Sequence, residues 1–224
     1  MTFKRSLQFI IAATVLAAGS AHANLVVNGS FEATVVNGAW KQFSAIEGWT
    51  SSVAGNSAFE IQKGGQQGGW SEFNAYAADG IQFLELNTES FTSVSQTVAT
   101  TGEGTYSLSF AFSGRPGTKN NATSKMNVYW GDVKLNNGPL VGHTKGDWDY
   151  FSIDDLVAMG PTTTLRFESF GPVAAPTYGS YLDAVQLDFQ AAQQKIGTDV
   201  PEPGSIALVL LGLAGLGATT RRRK

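Results

Sequence analysis

Few kinds of reactive side chain are available in this chain. Cys is absent, which removes disulfides, thiolate zinc sites, iron–sulfur clusters and a thiol nucleophile. There are 2 His; His22 stands among the first residues, so most His-dependent chemistry rests on His143 in Gly142-His143-Thr144-Lys145-Gly146. A polar loop of this kind suits a surface His better than a triad member, and no second His supports a metal. Carboxylates are plentiful: Glu47, Glu60, Glu72, Asp79, Glu85, Asp147, Asp149, Asp154 and Asp155. A glycoside hydrolase or lyase needs two of them facing each other across a cleft, and the spacing singles out no pair. They read as solvated faces and loops, with Asp154-Asp155 capping a single turn over 154–159.

Sugar binding asks for less: an exposed aromatic ring and a few groups that read hydroxyls. Five Trp are present. Trp49 follows Gly48, and Trp130 continues the alternation of Met126 and Val128, so both read as core. Trp40 and Trp70 stand in Gly-rich stretches, Asn37-Gly38-Ala39-Trp40 and Gly68-Gly69-Trp70-Ser71, and are the candidates for ligand contact. Arg115 ends a strong strand in Ser113-Gly114-Arg115-Pro116-Gly117. It reads equally as a group that recognises hydroxyls or carboxylates and as a loop-bracing ion pair.

A metal candidate comes from two distant segments. Tyr181, Asp183, Val185, Leu187 and Phe189 share one parity, which points Asp183 toward the core face near its end. A carboxylate there requires a partner or a metal. The opening segment supplies Asn28, Gly29 and Glu32, hard oxygen donors of the kind calcium prefers. The competing reading is a hydrogen-bonded clamp, in which Glu32 or Asp183 accepts backbone N–H groups.

The elements that must position these residues are strands. Tyr106, Leu108, Phe110 and Phe112 alternate with Ser107, Ser109, Ala111 and Ser113, as in a half-buried antiparallel strand. Further strands are predicted over Leu25–Val27, Ala58–Gln62, Gln82–Asn87, Val94–Val98, Met126–Trp130, Trp148–Ile153, Thr163–Ser169 and Tyr181–Phe189. Gly, Asn, Pro and Ser clusters separate them, and the pattern predicts an all-β sandwich over 24–190. The polar segment 191–199 reads as a linker.

The two ends read as addresses. Lys4-Arg5, an apolar run from Leu7 to Ala18 and Ala21-His22-Ala23 have the order of a secretory signal peptide, residues 1–23. At the other end, Pro201-Glu202-Pro203 precedes an uncharged apolar stretch and Arg221-Arg222-Arg223-Lys224. Basic residues there hold a membrane helix on the cytoplasmic side. Between Asn24 and Val200 stand 9 Lys and Arg against 17 Asp and Glu, a net of −8, which makes nucleic acid a poor partner.

Residues 200–224 resemble the PEP-CTERM sorting signal of Gram-negative bacteria, with Pro201, Glu202 and Pro203 matching its motif. The resemblance implies an exosortase as processing partner, transient anchoring in the inner membrane through a C-terminal membrane-spanning helix, and a final place at the cell surface or outside the cell, in a polysaccharide or biofilm-matrix setting. A plain membrane anchor is the alternative. A second resemblance rests on Asn28-Gly29-Ser30-Phe31-Glu32, Gly48-Trp49, Ala78-Asp79-Gly80, Leu84-Glu85-Leu86-Asn87 and Tyr181-Leu182-Asp183-Ala184-Val185. This order is similar to galactose-binding-like jelly-roll proteins, including a plant cell-wall family of unknown function and bacterial choice-of-anchor proteins. It implies a jelly-roll β-sandwich that binds carbohydrate or exopolysaccharide without catalysis. It also implies one structural calcium ion between the opening segment and the last strand. A purely structural surface protein and a polysaccharide-active enzyme are the competing functions.

Overall fold

The computed structural model describes residues 24–65, 76–101, 104–116, 124–143, 147–170 and 177–190, all within a unit that ends at Ala191. The expected signal peptide, Trp70, the linker and the sorting segment lie outside the described residues.

Two antiparallel sheets form a sandwich. The first contains β1 (Trp40–Phe43), β3 (Phe59–Lys63), β4 (Gln82–Glu85), β12 (Tyr181–Gln190), β6 (Thr105–Ser113) and β10 (Asp149–Val157), in that order across the sheet. The second contains β2 (Thr50–Ser51), β5 (Ser93–Ala99), β11 (Thr162–Phe170), β7 (Lys125–Trp130) and β8 (Val133–Lys134), with β9 (Leu140–Val141) also on β7. The neighbours are far apart in sequence, as β12 between β4 and β6 shows; such crossovers make a jelly roll rather than a row of hairpins.

Alternation explains the core. Tyr106, Leu108, Phe110 and Phe112 of β6 turn inward and are buried. Val94 and Val98 of β5, Leu165 and Phe167 of β11, and Met126, Val128 and Trp130 of β7 are buried in the same core. Phe110 meets Phe167 edge-on at 5.2 Å, and Tyr106 lies 5.6 Å from Trp130. Each such ring removed from water contributes about 1.5–3 kcal/mol. Trp49 closes one end, 5.4 Å from Phe31, with its indole N–H donated to the Asn28 carbonyl at 3.1 Å.

Four expectations change on folding. Leu25–Val27 forms no strand; instead the opening segment is tied along β12. Leu25 N donates to Leu187 O at 2.8 Å, and Val185 N to Gly29 O at 3.0 Å. Gly29 is required here, because a Cβ would run into the Val185 carbonyl. The turn predicted over 154–159 is absent: β10 continues to Val157 through a bulge, with Asp155 at φ 59°. Asp154 caps no turn and accepts the Ser107 hydroxyl. Trp40 opens edge strand β1 rather than lying in a loop.

The fourth change concerns Asp183. A second bulge, with Ala184 at φ 51°, shifts the β12 register between Asp183 and Gln186. Leu182, Val185 and Leu187 therefore share the core face, and Asp183 falls on the other face with Tyr181. One inserted residue reverses parity, so strict alternation misplaced this carboxylate.

Candidate functional site

Directly opposed residues in antiparallel strands point to the same face. On the outward face of the first sheet this produces two rows. Gln42, Glu60, Glu85, Tyr181 and Ser113 stand opposite one another across β1, β3, β4, β12 and β6. Beside them, Trp40 opposes Gln62 and Gln62 opposes Phe83, while Asp183 and Tyr150 both oppose Ala111.

Amides and carboxylates fill the first row. Gln62 Nε2 donates to Glu60 Oε1 at 2.7 Å and to Glu85 Oε2 at 2.6 Å. Gln42 Nε2 donates to Glu60 Oε2 and to Glu89 Oε1, both at 3.2 Å. Glu85 Oε1 accepts Gly179 N at 3.3 Å and also pairs with the Arg115 guanidinium. That guanidinium lies 5.1 Å from the centre of the Tyr178 ring. Burial pushes the Glu85 carboxyl up to about 8; Arg115 opposes the shift and neighbouring Glu60 adds to it. Desolvation outweighs the single ion pair.

Segment 76–82 covers the middle of the neighbouring row, at Asp183 and Phe83. Ala78 N and Asp79 N donate to Asp183 Oδ2 at 2.7 and 3.0 Å, and Ala184 N donates to Oδ1 at 2.7 Å. Burial still raises the Asp183 carboxyl to about 7 against these three donors. Ile81 N and Gln82 N both donate to Glu32 Oε1 at 2.7 Å. Gly80, at φ 74°, lies under the Glu32 carboxylate and leaves no room for a Cβ. Phe83 packs 4.8 Å from Tyr181 and 5.5 Å from Trp148, whose indole N–H is donated to Tyr76 O at 2.7 Å. Around this covered centre Trp40, Tyr76, Tyr150 and Tyr178 remain exposed.

The predicted site residues meet different fates. Trp40 is half exposed, while Trp49 and Trp130 are core, as their surroundings suggested. Arg115 is the brace rather than an open reading group: its guanidinium is engaged by Glu85. His143 Nδ1 pairs with Asp149 at 2.9 Å on the surface. Glu85, Gln62, Gln42 and Tyr178 were missed as a set. The parity of Glu60 with Gln62 in a short strand was the available signal, but their cross-strand partners were not.

The atoms of Asn28, Gly29, Glu32 and Asp183 do not fit a calcium cage as they stand. Asn28 Nδ2 donates to the Glu47 carbonyl, its Oδ1 accepts Ala33 N, and the Gly29 carbonyl accepts Val185 N. The two carboxylates face backbone N–H groups, whose polarity opposes that of a cation. Among the described residues no three His, Asp or Glu side chains gather as a metal site. In this arrangement Glu32 Oε1 and both Asp183 oxygens accept backbone N–H groups, as a hydrogen-bonded clamp requires.

The two crossed-over antiparallel sheets define a class: an all-β jelly-roll sandwich. Its backbone is similar to TmCBM61, solved with beta-1,4-galactotriose, at a TM-score of 0.50 and 15% identity over 75% of this chain and 99% of that one. It also resembles the CBM22-1 xylan-binding domain from Paenibacillus barcinonensis Xyn10C, at 0.40 and 16%, over 68% and 94%. The arabinose-bound MgGH51 α-L-arabinofuranosidase aligns at 0.49 and 14%, over 77% of this chain but 27% of the enzyme. Residues 24–188 match the family described as "Protein of unknown function (DUF642)", and the chain belongs to that family. Residues 199–224 match the PEP-CTERM protein-sorting motif, which marks an exported protein of the cell envelope. No curated protein matches the chain in sequence.

Proposed function

We propose that this is a non-catalytic protein of the cell surface or extracellular matrix that binds polysaccharide on the outward face of its first sheet. The supporting observation is the exposed Trp40 ring beside the amide–carboxylate row of Gln42, Glu60 and Gln62. An indole packs against the C–H face of a sugar ring, and polar groups beside it read hydroxyls. Loops and edges on a rigid sandwich are where such sites arise. The galactotriose bound by TmCBM61 lends support through the shared fold. Glu60 and Glu85, the carboxyl pair bridged by Gln62, are buried and hydrogen-bonded, which argues against their acting as an acid–base pair.

An exosortase then acts as the processing partner at Pro201-Glu202-Pro203, removing the segment after Gly204. Intact mass of protein from the native surface tests this step: loss of Ser205–Lys224 supports it, and an uncut terminus leaves a plain anchor. For the binding function, a glycan array probed with the full chain in mild detergent is the direct test. Retention of at least one polysaccharide supports it. A purely structural role, favoured by the commitment of Arg115 to Glu85, gains if every glycan fails.

A further inference from the structure

We infer that the Trp40 edge of the first sheet takes an uncharged glycan, one whose sugars carry hydroxyl groups and no carboxylate, sulfate or amine. The inference deepens the polysaccharide-binding reading and rests on it. Trp40 opens β1, an edge strand, and its cross-strand neighbour is Gln62. Glu60, Glu85 and Glu89 are joined to one another through Gln42 and Gln62, so three carboxyl groups stand in one network beside the indole. Among the described residues Arg115 is the cation paired into that network, and Glu85 holds it. Lys41 has the opposite parity from Trp40 and Gln42, and its ammonium lies 5.2 Å from the Phe43 ring centre. Lys63 is likewise out of phase with Gln62.

A uronate or sulfated sugar set against Trp40 would lose its water beside Glu60 and Glu89, while among the described residues Lys41 and Lys63 are out of phase with this face and Arg115 is held by Glu85. Like charges brought together at an interface are strongly disfavoured, and the −8 net of residues 24–200 adds to the repulsion. A cationic sugar finds one exposed carboxylate here, Glu89, which already accepts Gln42 Nε2 at 3.2 Å. Glu60 and Glu85 are 8% and 2% exposed and already hold their own donors, so neither offers an open oxygen to an ammonium. Accessible instead are the indole face, the exposed Glu89 carboxylate as an acceptor of hydroxyl protons, and the rim of the amide network. These groups match a neutral sugar ring: C–H groups on one face and O–H donors at its edge.

The test is affinity electrophoresis of the full chain in mild detergent, in gels containing one of three kinds of polymer. The neutral gels contain β-1,4-galactan, arabinoxylan or mixed-linkage β-glucan, the anionic gels polygalacturonate or alginate, and the cationic gel chitosan. The expected result is retardation by at least one neutral polymer at moderate salt, unchanged as salt is raised, and none by the anionic ones. Trp40→Ala should weaken that retention about tenfold or more, as loss of a central ring does, without lowering the melting temperature. Glu89→Lys, a surface change, should admit polygalacturonate. Stronger retention by polygalacturonate, alginate or chitosan than by any neutral polymer would overturn the inference and leave polysaccharide binding standing. Full retention by Trp40→Ala, or no gain from Glu89→Lys, would overturn it as well. Failure of all the polymers would remove the polysaccharide-binding reading and this inference together.

Discussion

The outward faces of the two sheets obey the same alternation and reach opposite outcomes. On the second sheet the outward side chains stay open to water. Tyr129 donates its hydroxyl to Glu168 at 2.6 Å, Arg166 pairs with Glu168 at 3.2 Å, and the guanidinium lies 3.7 Å from the Tyr129 ring centre. Partial burial pushes the Glu168 carboxyl up, but the Tyr129 hydroxyl and Arg166 outweigh it and hold Glu168 below its usual range. On the first sheet Glu85 and Asp183 also have donors, yet both are pushed up, because they are buried. Hydrogen bonding decides the protonation of a carboxyl at the surface; burial decides it beneath a covering segment.

The largest expected difference between the faces comes from removing one cation on each. Arg115→Met removes the guanidinium from a buried carboxyl, at a cost of about 3 kcal/mol, the low end for a broken buried pair because Glu85 already holds a proton below about pH 8. Arg166→Met removes an exposed pair, for about 0.5 kcal/mol. Urea unfolding of both variants checks the contrast, and equal costs would break it.

Gly80→Ala tests the covering segment. A residue with a Cβ at φ 74° costs about 1–3 kcal/mol, and here the Cβ also displaces the Glu32 carboxylate from Ile81 N and Gln82 N. Faster amide exchange at 78–82 should accompany the lost stability. Loss of stability with no local exchange change would place the damage elsewhere.

Stability should also vary with pH in a direction set by the covered face. Between about 4 and 8 the folded chain holds protons on Glu85 and Asp183 that the unfolded chain has released. Their contribution is complete below about pH 4 and is lost as pH rises through about 7 and 8. The melting temperature should therefore fall from pH 5 to pH 9, and Glu85→Gln should flatten the upper part of that slope. Glu168, held low, has the opposite sign: its contribution is present above its unfolded value and lost on acidification, so Glu168→Gln leaves the pH 5–9 slope intact.

The smallest expected effect concerns calcium. With Glu32 and Asp183 engaged by backbone N–H groups, melts in EDTA and in excess calcium should superimpose. A calcium-dependent rise would restore the metal, since a ligand of the folded state alone must stabilise it.

Much of this protein was legible without a structure. Alternation over Tyr106–Phe112, Met126–Trp130 and Thr163–Ser169 located three central strands and their buried faces, because both faces of a strand are written into adjacent residues. The opening Asn28-Gly29-Ser30-Phe31-Glu32 was correctly set against the last strand. The C-terminal sorting motif is read from local order alone, and its match at 199–224 depends on no fold.

What only the tertiary structure decided is the chemistry of the first sheet's outward face. The bulge at Ala184 turned Asp183 from one face to the other, and a single left-handed residue leaves no trace in an alternation pattern. The Glu60–Glu85 pair spans two strands, and its brace, Arg115, comes from a third segment. The charge of a carboxyl in that cluster depends on how much water reaches it. Which segments cover a sheet is settled by chain crossovers between residues far apart in sequence, whereas composition specifies only that the carboxyl exists.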